Sequence, residues 1–219
     1  YTSERNIIKV IKSLFLDDLW DEFYRIRDNS KKLVEFHNRI AKLRFLDPAC
    51  GCGNFLVITY RELRLLEIEI LKALFKGQTG IIQHGIEVYA KIDVDQFYGI
   101  EYEEFPAQIA QVALWLMDHQ MNMALSAEFG EYFVRLPLKK SATIIHGNAL
   151  RIDWNNILIT KESQSEIKND YLKYDYIFGN PPFIGYSLQN PEQKEDLRLI
   201  TSGIDGSGVL DYVTGWYFK

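Results

Sequence analysis

Leu43-Arg44-Phe45-Leu46-Asp47-Pro48-Ala49-Cys50-Gly51-Cys52-Gly53-Asn54-Phe55 is the stretch whose reading decides the fold class. A short apolar run meets an acid and a proline, passes through small residues and glycines, and reaches Asn54, a good helix cap. That is the pattern of a strand feeding a tight turn at a helix start. From Asn54 to about Phe75, Leu56, Tyr60, Leu63, Leu66, Ile70 and Leu74 share one helical face, with Arg61, Glu62, Arg64, Glu67 and Lys72 on the other. A long amphipathic helix is predicted there.

The same alternation continues outward. Gln96 to Glu101 predicts a second strand ending in a carboxylate, and about Pro106 to Met123 a helix with Ile109, Val112, Ala113, Leu116 and Met117 facing inward. Thr143 to His146 predicts a third strand, running into Gly147-Asn148-Ala149-Leu150, and Tyr174 to Phe178 a fourth, stopping at Gly179-Asn180-Pro181-Pro182-Phe183. Residues 77 to 95 show no single period and read as a connector with room for one short helix. Residues 3 to 43 carry Ile7, Ile11, Phe15, Leu19, Phe23, Val34, Phe36 and Ile40 at helical spacing, which predicts two or three helices. Strands alternating with helices predict an α/β fold: a Rossmann-like, doubly wound parallel sheet over 44–219, preceded by a helical segment over 1–43. In such sheets a ligand sits outside the carboxyl ends of the strands, where all four motifs fall.

The bulk numbers bound the possibilities. A chain of 219 residues, 47% hydrophobic, holds one sizeable α/β domain or one with a small appendage. No stretch resembles a membrane span or a signal peptide, so a cytoplasmic location without membrane association is expected. Cys50 and Cys52, separated by one glycine, indicate neither a disulfide nor a metal site; a redox pair is the weaker reading of them. The net charge of -5 is unexpected for a protein gripping DNA phosphates. The chain starts at Tyr1 and ends at Lys219 inside an apparent helix, so it is read as a piece excised from a longer protein, incomplete at its C-terminus.

Each motif has a chemical rationale. The turn after the first strand has glycines at 51 and 53 but Leu56 where a dinucleotide fingerprint needs a third, which disfavours a nicotinamide cofactor. Its small residues let backbone approach a ligand, and the helix start offers N–H groups to a carboxylate such as that of a methionine moiety. Gly51 and Gly53 alone are also what a plain tight turn requires. Glu101, at the end of the second strand, stands where a carboxylate accepts both hydroxyls of a ribose; the bland alternative is a solvated acid beside Glu103 and Glu104. Asn148 has an amide able to pair with an adenine edge, although Asn beside Gly is commonly a turn residue. Asn180-Pro181-Pro182-Phe183 is the most specific feature. An adenine amine is a poor nucleophile because its lone pair is delocalised, and two acceptors, the Asn180 side-chain oxygen and the Pro181 carbonyl, can draw it toward tetrahedral geometry and aim it at a sulfonium methyl. Phe183 can stack on a flipped-out base, a role to be weighed against a plain Pro-Pro turn with a buried Phe. His119, beside Asp118 and near Trp115, reads as core or surface.

These motifs, in this order, resemble those of N6-adenine DNA methyltransferases. The stretches Leu46 to Glu67 and Gln108 to Asn122 are similar more narrowly to the MmeI-like restriction-modification enzymes, and the resemblance covers about residues 44 to 219. It implies a class I S-adenosylmethionine-dependent fold and S-adenosylmethionine as methyl donor. It further implies that Asp47, Ala49, Gly51 and Gly53 line the methionine end of the cofactor, with Pro48, Cys50, Asn54 and Phe55 in the same cofactor-binding turn, that Glu101 binds the ribose, and that Asn148 and Ala149 border the adenine. Asn180, Pro181, Pro182 and Phe183 would hold the target base. In that family one polypeptide joins nuclease, methyltransferase and recognition domains, so double-stranded DNA is the expected partner, held through a recognition domain outside this chain. The family sheet has roughly three more strands after the catalytic one. Methylation of a protein glutamine or of RNA, and a non-catalytic cofactor-binding module, stay open, as does the oligomeric state.

Overall fold

The computed structural model describes residues 2–76, 89–129, 141–162 and 173–219, without the side chains of 159–162 and 207. Most of the predicted connector, 77–88, lies outside them; its described end holds a 3-10 turn at Val94–Gln96, capped by Asp93.

The helical segment consists of α1 (Glu4–Ile11), a π-helical turn over Lys12–Leu16, α2 (Asp17–Ile26) and α3 (Ser30–Ile40). Then follow β1 (Phe45–Asp47), α4 (Asn54–Leu74), β2 (Phe97–Glu101), α5 (Glu104–Phe129), β3 (Thr143–His146), α6 (Trp154–Glu162), β4 (Tyr176–Ile177), α7 (Pro191–Ile200) and α8 (Gly215–Phe218). The four strands form one parallel sheet in the order β3-β2-β1-β4. Phe45 registers with Phe97 on one side and Tyr176 on the other, so the order reverses between β1 and β4.

Alternation along the strands sends side chains to opposite faces. Phe45 stacks on Phe97 (5.0 Å) and Tyr176 (5.6 Å), in a core shared with α4, α5 and the N-terminal helices through Ile7, Ile11, Phe15, Leu33 and Ile40. Leu46, Tyr98 and Ile100 take the other face, against Ile157 and Leu158 of α6 and Trp216 of α8. The sheet is thus covered on both sides, as the strand pattern predicts.

Two helix faces differ from the sequence expectation. Arg64 and Glu67, placed on the polar face of α4, are completely buried (0% and 1% exposed). The reason is that α4 is wedged between α1 and α3 on one side and α5 on the other, and the charges are internally satisfied. Arg64 Nη1 donates to the Tyr60 hydroxyl (2.8 Å) and Asp118 (3.3 Å), and Nη2 to Asn122 (2.9 Å). Glu67 Oε1 accepts from His37 Nε2 (2.7 Å) and from the backbone N–H groups of Lys91 (2.6 Å) and Ile92 (2.9 Å). Burial alone would raise the Glu67 carboxyl, but the His37 hydrogen bond and the Arg64 charge outweigh it and hold it below its ordinary range.

On α5 the inward seam is Ala107, Ala110, Leu114, Asp118, Met121, Asn122 and Leu125, whereas Val112 and Leu116, expected inside, are exposed. The helix is apolar nearly all round, and its seam is chosen by the polar partners Arg64 needs and by small residues that let α4 approach. It also begins two residues earlier than predicted, leaving Pro106 in its first turn where a missing N–H costs nothing. It runs six residues further, because Leu125 packs on Ile68 and Leu71.

Removing one member of a buried charge network strands the others. Arg64→Leu is expected to destabilise the fold by about 3–5 kcal/mol, read as a lower urea midpoint with an unchanged denaturant slope.

Candidate active site

Between the carboxyl ends of the strands lies a cavity of about 420 Å3, lined from the β1 turn by Pro48 and Ala49, from β2 by Glu101 and Tyr102, and from the β3 turn by Gly147, Asn148 and Ala149. Asn180 and Pro182 after β4, residues of α7 including Asp196, and Tyr212 and Trp216 complete the wall. Motifs 48 to 182 residues along the chain meet here because β1 pairs on both sides.

The β1 turn is built by its glycines. Gly51 (φ 54°) and Gly53 (φ 83°) both take left-handed conformations. A Cβ on Gly53 would also meet Ala110 Cβ at 2.9 Å, so this glycine lets α4 and α5 close on each other, whereas one on Gly51 would meet nothing within 4 Å. Gly51 thus has free space where a side chain would stand, while its N–H is given to Glu101 and it lies outside the cavity lining. Gly53, not Asn54, is the N-cap of α4, without a side-chain cap; a φ of 83° favours glycine at that position, and Asn54 becomes the first helical residue.

Glu101 ends β2 half-buried, with Oε2 accepting from Gly51 N (2.8 Å) and Oε1 from Glu103 N (3.0 Å). The acid and the glycine turn are thus physically joined. Asn148 donates through Nδ2 to Asp196 Oδ2 (2.8 Å) and accepts at Oδ1 from Leu150 N (2.9 Å). Asn180 is exposed; one N–H of its Nδ2 donates to Thr2 Oγ1 (3.0 Å), and Oδ1 remains available as an acceptor. Phe183 is 78% exposed, on the surface just outside the cavity wall, rather than buried as a plain turn would have it.

Other residues assigned to the cofactor turn sit behind it. Phe55 is buried against Phe178 (5.8 Å) and belongs to the core. Cys50 is buried with its thiol pushed up by burial and then by the charges of Asp47 and Glu101, which makes it inert; Cys52 is exposed and unpaired. Asp47 is 1% exposed and accepts from Ala49 N (3.0 Å). A Cβ on Gly179 would collide with its carboxyl, so Asp47 spans from the β1 turn to the base of the Asn180 turn. Burial, reinforced by Glu101 and opposed by the Ala49 N–H, raises its carboxyl to about 7. Among the described residues no group of His, Cys, Asp and Glu is arranged to hold a metal, and no helix is long and apolar enough to cross a membrane.

Sequence reasoning missed Asp196, Tyr212 and Trp216. Trp216 Nε1 donates to the Pro48 carbonyl (3.1 Å) and its ring meets Tyr212 edge-on (5.3 Å), closing the cavity from the C-terminal side. Asn190-Pro191-Glu192-Gln193 is a readable helix start, with Asn190 and Gln193 forming a reciprocal cap. That signal places α7 but not its contact with the β3 turn.

A parallel sheet reversing order between β1 and β4, with a glycine turn, an acid after β2 and a cavity at the switch point, defines a Rossmann-like nucleotide-cofactor fold. Comparison with known proteins narrows this. Residues 23–219 match the family model described as MmeI, DNA-methyltransferase domain, and the chain belongs to that family. It is 55% identical to the Type IIL restriction-modification enzyme MmeI, solved in complex with DNA, with a TM-score of 0.89 over 100% of this chain and 27% of that one. It is 40% identical over 221 residues to DNA methyltransferase A of Bacillus subtilis (strain 168), covering 100% of this chain and 23% of that protein. The chain thus spans about a quarter of these relatives.

Because its folded pKa is raised, Asp47 holds a proton in the folded state that the unfolded chain has lost between its ordinary value near 3.8 and about 7. Folding stability should therefore fall as pH rises through that window and level off above it. Asp47→Asn, neutral throughout, should flatten the decline, a difference on the order of 4 kcal/mol at pH 8. Urea midpoints from pH 5 to 8 would show the roughly 3 kcal/mol of it that falls above pH 5; parallel curves for the two proteins would refute the assignment.

Proposed function

We propose that this domain transfers a methyl group from S-adenosylmethionine to the N6 amine of an adenine flipped out of duplex DNA, as part of a larger restriction-modification protein. The observation that carries the reading is that one cavity is lined both by Glu101, Asn148 and Ala149 and by Asn180 and Pro182. Donor and acceptor sites thus share a wall.

The residues suit this donor. The cavity is within the range that holds small-molecule ligands. Its charged lining residues are the acids Glu101, Glu192 and Asp196. Arg151 pairs with Asp196 and Glu192, which leaves Glu101 as the lining acid that faces a cationic ligand, its hydrogen bonds among the described residues coming from backbone N–H groups and not from a basic side chain. Glu101, in the cavity wall, offers the carboxylate a ribose diol needs. When bound, S-adenosylmethionine supplies an electrophilic methyl on a sulfonium.

The chain's part is positioning. Asn180 Oδ1, set by the donation of its Nδ2 to Thr2, and the Pro181 carbonyl accept from the two N–H groups of the target amine, which turns its lone pair toward the methyl. Pro181 and Pro182 keep the acceptors rigid and bring no competing donor. Phe183, exposed beside them, offers a ring for the flipped base to stack on. The proton lost after transfer passes to solvent. With a net charge of -5, most phosphate contacts would come from a recognition domain outside this chain.

Asn180→Ala is expected to lower labelling of adenine in duplex DNA at least ~100-fold in the intact protein while leaving calorimetric affinity for S-adenosylhomocysteine within about threefold. Glu101→Ala should first weaken that affinity. Equal loss of both quantities in Asn180→Ala, or unchanged affinity in Glu101→Ala, would contradict the roles.

A further inference from the structure

We propose that Asp196, on α7, sets the hydrogen-bonding polarity of the adenine end of the cofactor pocket by clamping the Asn148 amide, so that the pocket selects a 6-aminopurine over a 6-oxopurine. The inference rests on the reading that this cavity takes S-adenosylmethionine.

A carboxamide presents a donor at nitrogen and an acceptor at oxygen, and by itself can turn to show either. Asn148 cannot turn. Its Nδ2 donates to Asp196 Oδ2 (2.8 Å) while its Oδ1 accepts from Leu150 N (2.9 Å). Reversing the amide would set oxygen against carboxylate and NH2 against N–H, two repulsive contacts in place of two attractive ones. The Asn148 nitrogen also gives a hydrogen bond to the Tyr212 hydroxyl, so with both of its N–H groups engaged the second lone pair of Oδ1 is the edge offered to a ligand, and it matches the exocyclic amine of adenine, which donates, rather than the oxygen of hypoxanthine, which accepts.

Asp196 is fixed well enough to impose this choice. It is 2% exposed. Arg151 Nε donates to its Oδ1 (2.6 Å) and the Tyr212 hydroxyl to its Oδ2 (2.9 Å). Asp196, Asn148 and Tyr212 all line the cavity. Asp196 therefore acts as a positioning residue, and it ties the turn after β3 to the helix that follows Asn180. A site built to accept from an amine leaves an unpaired group when the amine is replaced, which is the basis of strong discrimination.

The test is calorimetric titration with S-adenosylhomocysteine and with S-inosylhomocysteine, its 6-oxo counterpart. The protein as it stands should prefer the adenosyl compound by roughly tenfold or more. In Asp196→Asn the new amide donates as well as accepts, the Asn148 amide is freed to turn, and the preference should drop below about threefold. Exchanging the pair, Asn148→Asp with Asp196→Asn, leaves only acceptors at 148 and should restore it, which a merely structural role for Asp196 would not do. The exchange also carries the test if the single variant does not fold. Equal binding of both compounds by the unaltered protein, a folded Asp196→Asn that keeps the full preference, or an exchanged pair that stays unselective would each overturn the proposal. Failure of the unaltered, folded protein to bind either compound would instead overturn the cofactor reading beneath it.

Discussion

The three-residue strand β1 is hydrogen-bonded on both sides, to β2 and to β4, and that double pairing constrains everything the domain can offer a ligand. A strand in the middle of a parallel sheet sends the chain out on one side first and brings it back on the other. The loops leaving β1 and β4 then diverge, and the crevice between them opens at the carboxyl ends of the strands. Gly51 and Gly53 turn the chain sharply behind it, and Pro48, Ala49, Asn180 and Pro182 form its wall.

The remaining architecture keeps this crevice in shape. Arg64 is the centre of that support: a guanidinium without solvent contact, bonded to Tyr60, Asp118 and Asn122 and 3.1 Å from Glu67 Oε2. Such a network contributes little net free energy against an apolar alternative, but each member is costly to remove alone. What it supplies is registration, since α4 and α5 fit in one relative position and Glu67 at the same time fixes the backbone leading into β2. The closeness of Gly53 to Ala110 depends on that registration.

Much of this could be read from the chain itself. The strands announce themselves as short apolar runs ending in Asp47, Glu101, Gly147 and Gly179, because the physics of a buried parallel strand and of a turn after it leaves few residue choices. The helix faces were less legible. Arg64 and Glu67 look like solvent residues unless one knows that Asp118, 54 positions beyond Arg64, and His37, 30 positions before Glu67, are waiting in the core. On α5, Val112 and Leu116 are as apolar as the residues actually buried, and periodicity cannot rank faces on a helix with no polar side. Asp196, Tyr212 and Trp216 are isolated residues in no local pattern, and their place in the cavity wall is a product of tertiary closure.

The contact between Asp47 and Gly179 reaches beyond this chain. The carboxyl fills the space a side chain at 179 would need, so position 179 cannot take a larger residue while Asp47 keeps its place. In related proteins the two sites should covary: a larger residue before the Asn-Pro-Pro turn demands a smaller or redirected one at the end of β1.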